Sequence, residues 1–179
     1  MSARDQLIKT TRDLLSTQGY EATSPGQIQS ESGVGQGSFY HHFGSKADLA
    51  AHALGSLSQD MREEFYAASP SEIDGYLNAD RDPLAGCRIG RITMEASISD
   101  ERIREPIGDY FTHLRQRLTV AFEELELGDE IPAHALADLA IAAVQGGFVV
   151  SRATADPTAQ ENAIAAISAL INHCRGASQ

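Results

Sequence analysis

The sequence predicts an all-α fold, and three observations carry that expectation. Ala, Leu and Ile dominate the apolar residues, which make up 42% of the 179-residue chain. Period-two alternation of β-branched residues is scarce. Apolar positions instead recur every three or four residues, between stretches punctuated by Gly, Pro, Ser and Asp.

The elements can be justified in order. Residues 3–18 carry a one-sided stripe of Leu7, Ile8, Leu14 and Leu15, with Thr11 among them, and Gly19 follows where a helix often ends. Thr23 or Ser24 then offers an N-cap and Pro25 suits a first helical position, giving a short helix over 25–31 with Ile28 facing inward. Gly33 closes it, Val34 is read as buried, and Gly35 is a weak N-cap for a second short helix over 36–42. Ser45 and Asp48 form a capping box for a helix over 46–67, whose apolar positions Leu49, Ala53, Leu57, Met61 and Phe65 recur every four residues. Residues 69–83 read as a boundary containing one or two helical turns. Three longer helices follow, over 84–98, over 101–126 with a break near Pro106, and over 133–154 after Pro132. The last spans 157–174, with Asp156 as its N-cap and Pro157 in its first turn.

Charge divides the chain. The formal charge is −11 and the pI about 4.8, which disfavours a generic polyanion binder. In residues 1–46, however, Arg4, Lys9, Arg12 and Lys46 balance Asp5, Asp13, Glu21 and Glu31, so the whole excess lies in 47–179. Two parts with different partners are expected, 1–46 and 47–179. Cys87 and Cys174 are too few for a disulfide framework, and with no signal peptide evident a reduced, cytoplasmic protein is expected. The longest apolar run, 139–150, falls short of the ~20 residues that span a bilayer, so no membrane association is expected.

The stretch GVGQGSFYHHF (33–43) is the most informative. Two short helices joined by a glycine-containing turn make a helix-turn-helix, whose second helix enters the major groove of DNA. Phe39 and Phe43, four apart, can face a small core with Leu7, Leu14, Ile28 and Val34. Gln36, Ser38, Tyr40, His41 and His42 then project outward. Gln and Ser suit base edges, Gly37 allows close backbone approach, and Tyr40 and His42 suit phosphate oxygens. Lys46 adds charge at a helix N-terminus. A metal reading of His41 and His42 is weak, because neighbours on a helix point about 100° apart. His52, His113, His134 and His173 show no ligand spacing, and no metal or cofactor is expected.

The span GYEATSPGQIQSESGVGQGSFYHHFGSKADL (19–49) resembles the DNA-binding module of the TetR/AcrR family, with Gly19, Tyr20, Thr23, Ile28, Gly33, Val34, Tyr40, His42, Phe43, Ser45, Lys46 and Leu49 in register. The resemblance implies a three-helix head, a helical C-terminal ligand domain and a homodimer on double-stranded DNA. It implies that Tyr40, His42 and Lys46 contact phosphates and that Gln36, Ser38 and His41 lie near bases. The DNA-facing set is then Ser24, Gln36, Gly37, Ser38, Tyr40, His41, His42 and Lys46. Gln36 stands where Lys or Arg is frequent, so a shallow salt dependence is expected.

Two heads at fixed spacing require dimerisation. The helices over 133–154 and 157–174, rich in Ala137, Ala140, Ala143, Gly147, Ala163 and Ala169, are the candidates. Residues 86–118 and the Gln145-Gly146 step resemble the C-terminal domain of a branch that includes LmrA/YxaF and NemR-like repressors. That resemblance implies an apolar pocket for a small-molecule effector, with Cys87, Met94, Tyr110, Phe111, Leu114, Gln145 and Phe148 as candidate wall residues, each equally readable as ordinary core. In this branch a cysteine near the position of Cys87 can sense electrophiles; a buried, inert Cys87 is the alternative. The expected function is a repressor released from a palindromic operator when a small molecule binds. An enzyme or carrier using the helical cavity is disfavoured, since no nucleophile–base, phosphate-loop or metal signature occurs. A DNA-architectural protein is disfavoured by the charge.

Overall fold

The computed structural model describes residues 1–68, 71–125 and 131–177, with the side chains of 65–68 and 175–177 outside the described set. Among the described residues it contains helices and turns but no strand. α1 (Ala3–Gln18) begins at Ser2 with a complete capping box, which the helical periodicity alone does not signal. Ser2 Oγ accepts from the Asp5 amide at 3.2 Å, and the Ser2 amide donates to Asp5 Oδ2 at 3.1 Å. α2 (Pro25–Ser32) is capped by Ser24, which accepts the Gln27 amide at 3.1 Å. Thr23 does not cap the helix; its buried hydroxyl donates to the Gly19 carbonyl at 2.7 Å. Gly33 ends α2 at φ 69°, the left-handed region that glycine enters at least cost. α3 (Gln36–His42) starts at Gly35 without a side-chain cap. Leu7, Leu14, Ile28, Val34, Phe39, Phe43 and Leu49 form one buried cluster, the small core expected from their spacing.

α4 (Lys46–Ala68) takes the Asp48 amide on Ser45 Oγ at 3.1 Å, but Asp48 reaches back to the Gly44 amide at 3.0 Å rather than to that of Ser45. Leu49, Ala53, Leu57 and Met61 are buried as their spacing predicts, while the Phe65 side chain lies outside the described residues. α5 (Glu72–Leu77) supplies the turn or two expected within 69–83.

The helix expected over 84–98 does not form. Asp82 Oδ1 accepts the Leu84 amide at 2.9 Å, and Gly86 sits at φ 82°, which fixes a turn. Two short 3-10 helices follow, Gly90–Met94 and Ala96–Ser99, with Glu95 extended between them. Thr93 and Ser99 donate to the Gly90 and Ala96 carbonyls at 2.6 and 2.9 Å, a local competition that disfavours longer helix.

α6 (Glu101–Glu123) runs unbroken through Pro106, contrary to the expected break; residue 126, its expected end, lies outside the described residues. An interior proline costs about 3 kcal/mol. Ile103, Ile107, Tyr110, Leu114, Leu118 and Phe122 are all buried along one face, at roughly 1.5–3 kcal/mol each, so burial outweighs the lost bond. α7 (Ala133–Thr154) and α8 (Thr158–Ala177) pack along each other as a helical hairpin. Ala155 closes α7 at φ 54°, and Asp156 Oδ1 accepts the Thr158 amide at 3.0 Å. By length and composition α7 could cross a membrane, although no single unbroken apolar run suggested it. Here Leu136, Ala137, Ala140, Val144 and Phe148 are buried within the fold. By compactness the chain falls into two units, Met1–Met61 with Arg88–Tyr110, and Arg62–Cys87 with Phe111–Gln179.

Candidate nucleic-acid interface

The reading helix is defined by what it hides. Phe39 (0% exposed) and Phe43 (1%) anchor α3 on the core, which turns the rest of a seven-residue helix outward. Gln36, Gly37, Tyr40 and His41 are exposed, and Ser38 and His42 half-exposed. The Tyr40 ring stands edge-on against Phe39 at 5.0 Å, and the His41 and His42 rings are 5.0 Å apart. Ser24 is exposed at the N-terminus of α2, with its hydroxyl engaged by Gln27. The outward groups can donate to and accept from base edges and phosphates, and α3 itself carries no Lys or Arg.

Lys46 is less free than the sequence suggests. Its ammonium donates to the Tyr20 carbonyl at 2.7 Å and lies 3.8 Å from the Tyr20 ring centre. Partial burial holds its pKa below the ordinary 10.5, although the Glu95 and Glu21 carboxylates act in the opposite sense. Two of its three N–H donors remain for a phosphate.

Sequence reasoning missed the support for this corner. Glu95 accepts the Tyr20 amide at 3.0 Å and the Glu21 amide at 2.9 Å. Glu21 in turn accepts the Ser97 amide at 3.1 Å, and Arg91 donates to the Thr17 carbonyl. Arg102, bound to Asp100 at 2.6 Å, reaches Ser45 Oγ at 3.4 Å. The turn between α1 and α2 and the start of α4 are thus held by residues far along the chain, which no local pattern signals.

The profile of bacterial regulatory proteins of the tetR family matches residues 7–53, the span that builds this interface. A second profile, the C-terminal domain of LmrA/YxaF-like transcriptional regulators, matches residues 74–169, more than half of the chain. The chain belongs to the TetR family.

An HTH-type transcriptional regulator of the lacX 3′ region of Lactococcus lactis is 25% identical, covering 87% of this chain and 86% of its own. LmrA of Bacillus subtilis, also an HTH-type transcriptional regulator, is 28% identical over 116 residues, 58% of this chain and 62% of its own. A TetR regulator from Chloroflexus aurantiacus superposes with a TM-score of 0.83 at 24% identity, covering 95% and 94% of the two chains. The reduced form of Escherichia coli NemR gives 0.76 at 21%, covering 93% and 95%. These superpositions show the all-α TetR fold. This chain is a TetR-family transcriptional regulator with a DNA-binding helix-turn-helix.

The effector-wall candidates scatter within that TetR framework. In the second unit, Cys87, Leu114 and Phe148 are buried, and Phe111 and Gln145 half-buried. Tyr76, which no sequence pattern singled out, is 2% exposed, with its phenol close to Gln145 and Cys87. Burial drives the Tyr76 pKa far above its ordinary 10. Arg81 lies over the Tyr76 ring at 5.0 Å and donates to the Tyr76 carbonyl. Tyr110, 1% exposed, belongs to the first unit. Met94 does not line a cavity wall: at 84% exposed, on a 3-10 helix rather than a helix face, its side chain is in solvent.

Proposed function

We propose that this regulator is a repressor that leaves a palindromic operator when a small, apolar or aromatic effector binds. The observation that carries the reading is α3, a short helix anchored by buried Phe39 within it and buried Phe43 just after it, whose polar side chains are exposed or half-exposed. In this reading residues 1–46 bind DNA. Gln36, Ser38 and His41 lie near bases, Tyr40, His42 and Lys46 contact phosphates, and Ser24 and Gly37 complete the contact surface. Residues 47–179 bind effector and dimerise, in a cytoplasmic protein with no catalytic role.

Tyr76, Cys87, Phe111, Leu114, Gln145 and Phe148 are the effector-binding candidates, because a buried phenol near a half-buried carboxamide among apolar side chains supplies the few polar groups such sites use. Dimerisation is assigned to α7 and α8. Leu139, Ala142, Gly146, Val149, Val150 and Ala153 form an exposed stripe at helical spacing on α7, as do Ala165, Ala166 and Ala169 on α8.

Selection of bound duplex from a random pool tests the reading. A palindromic consensus, bound by a species sedimenting as a dimer and released by hits from a small-molecule thermal-shift screen, is the expected result. A monomer that enriches no sequence would overturn it.

A further inference from the structure

We infer that the groove between α1 and α4 is a second DNA-contacting surface, taking the backbone phosphates beside the bases that α3 reads; this rests on the DNA-binding reading above. The groove has a volume of about 540 Å³, is open to solvent, and is lined by Arg4, Lys9 and Arg12 of α1 and His52, Ser56 and Gln59 of α4, among others. Three of the four Lys and Arg residues in 1–46 therefore share one surface. Of the acidic residues in that span only Asp5 lines it, and its carboxylate is engaged in capping α1. Arg12 is paired with Asp60 at 2.5 Å. Arg4 and Lys9 are exposed, with no ion-pair partner among the described residues.

Position selects the occupant. The Arg4 guanidinium lies 5.5 Å over the Phe43 ring, and that ring is 5.5 Å from His52. The Phe43 amide donates to the Phe39 carbonyl at 2.9 Å, closing the C-terminal end of α3. The groove therefore opens at the end of the reading helix. A helix with its side chains is about 10–12 Å across and nearly fills a major groove about 12 Å wide; with the N-terminal end of α3 directed at base edges, its C-terminal end is the one nearest a phosphate ridge. Charge leads to the same occupant. DNA binding needs cations that displace counterions, α3 has no Lys or Arg, and Lys46 already shares its ammonium with Tyr20. Within residues 1–46 the remaining supply is this groove.

The test measures operator affinity against salt for the full chain and for Arg4→Gln, Lys9→Gln, Tyr40→Ala and Gln36→Ala. Arg4→Gln and Lys9→Gln should each lower the salt slope by about one and weaken all sequences alike, leaving the preferred operator unchanged. Arg4 touches Phe43, so Lys9→Gln, at an exposed position, carries the test if Arg4→Gln misfolds. Unchanged slopes in both variants, alongside weakened binding in Tyr40→Ala, would overturn the groove assignment alone. A wild-type chain that binds no duplex would overturn the DNA reading itself. If inorganic phosphate raises the melting temperature of the wild type but not of these variants, and their slopes are unchanged, the groove takes a free anion and the DNA assignment fails.

Discussion

The Lys46 ammonium and the Tyr20 carbonyl, 2.7 Å apart, join the start of α4 to the turn between α1 and α2. One side chain thus ties together both ends of the helix-turn-helix, and the ring of Tyr20 lies against it. Lys46→Ala removes a charged donor from a partly buried carbonyl, worth about 1 kcal/mol at this exposure. It also removes the donors available to a phosphate. We expect urea denaturation to show that loss, and operator binding to weaken for all sequences alike with a salt slope lower by about one. Stability and salt slope both equal to wild type would mean that Lys46 has neither role.

Gly19 and Glu95 should be coupled. Gly19 lies at φ 88°, and the Glu95 carboxylate occupies the space that a Cβ there would take. Gly19→Ala therefore meets both backbone strain and a displaced carboxylate, at a cost of roughly 1–3 kcal/mol. Glu95→Ala frees two amides to water and costs about 1–2 kcal/mol at this partial exposure. In the double variant the steric conflict is gone, so the sum should exceed the measured loss by about 1 kcal/mol. Strict additivity would show that Glu95 does not hold the turn.

This pair also marks where the sequence stops being legible. The interface itself could be read because its signals are local. Ser24 before Pro25, Gly33 at a left-handed φ, and Phe39 with Phe43 four apart each act within a few residues, and the helices formed where those signals put them. The segment after Gly86 could not be read that way. Its apolar residues have helical spacing, but Asp82 and Gly86 make a turn and Glu95 accepts from amides 74 and 75 positions upstream. Met94, a candidate wall residue implied by the resemblance and lying within the helix expected over 84–98, ends in solvent for that reason. Tyr76 was missed as well, because its neighbour Gln145 is far away in sequence.

The two glycines at the centre of α7 should respond oppositely to alanine. A Cβ at Gly147 would lie 2.8 Å from the Gln160 Cα, a backbone atom of α8 that cannot swing aside. Gly147→Ala must push the two helices apart, and we expect a loss of about 1–3 kcal/mol. Gly146 has nothing within 4 Å of the equivalent position, so Gly146→Ala should stabilise the helix by up to ~1 kcal/mol. Thermal denaturation at fixed protein concentration compares the two. Sedimentation of Gly146→Ala additionally reads the proposed dimer face, where Gly146 is exposed.

Replacing Gln36 separates reading from positioning. Its side chain is exposed at the N-terminal end of α3, where base edges are met. Gln36→Ala should relax choice at one base pair and cost about 1–3 kcal/mol against the preferred operator, with the salt slope unchanged. Repeating the random-pool selection with the variant checks this. An identical consensus would mean that the reading face of α3 has been misassigned.

Tyr76 should give the C-terminal unit an alkaline weakness. Its phenol is buried against Gln145, and burial raises its pKa well above the ordinary 10. Below pH 10 the folded and unfolded chains both keep the proton, so Tyr76 adds no pH dependence. Above pH 10 the unfolded chain releases the proton while the folded chain retains it. The unfolded state then binds fewer protons, and stability falls as pH rises, by up to about 1.4 kcal/mol per pH unit from this one group. Tyr76→Phe should change stability at neutral pH by no more than about 1 kcal/mol, yet show a shallower decline above pH 10. Urea midpoints across that range, read beside the phenolate absorbance, distinguish the two chains. Parallel declines would place the Tyr76 hydroxyl in contact with water rather than in the interior of the unit.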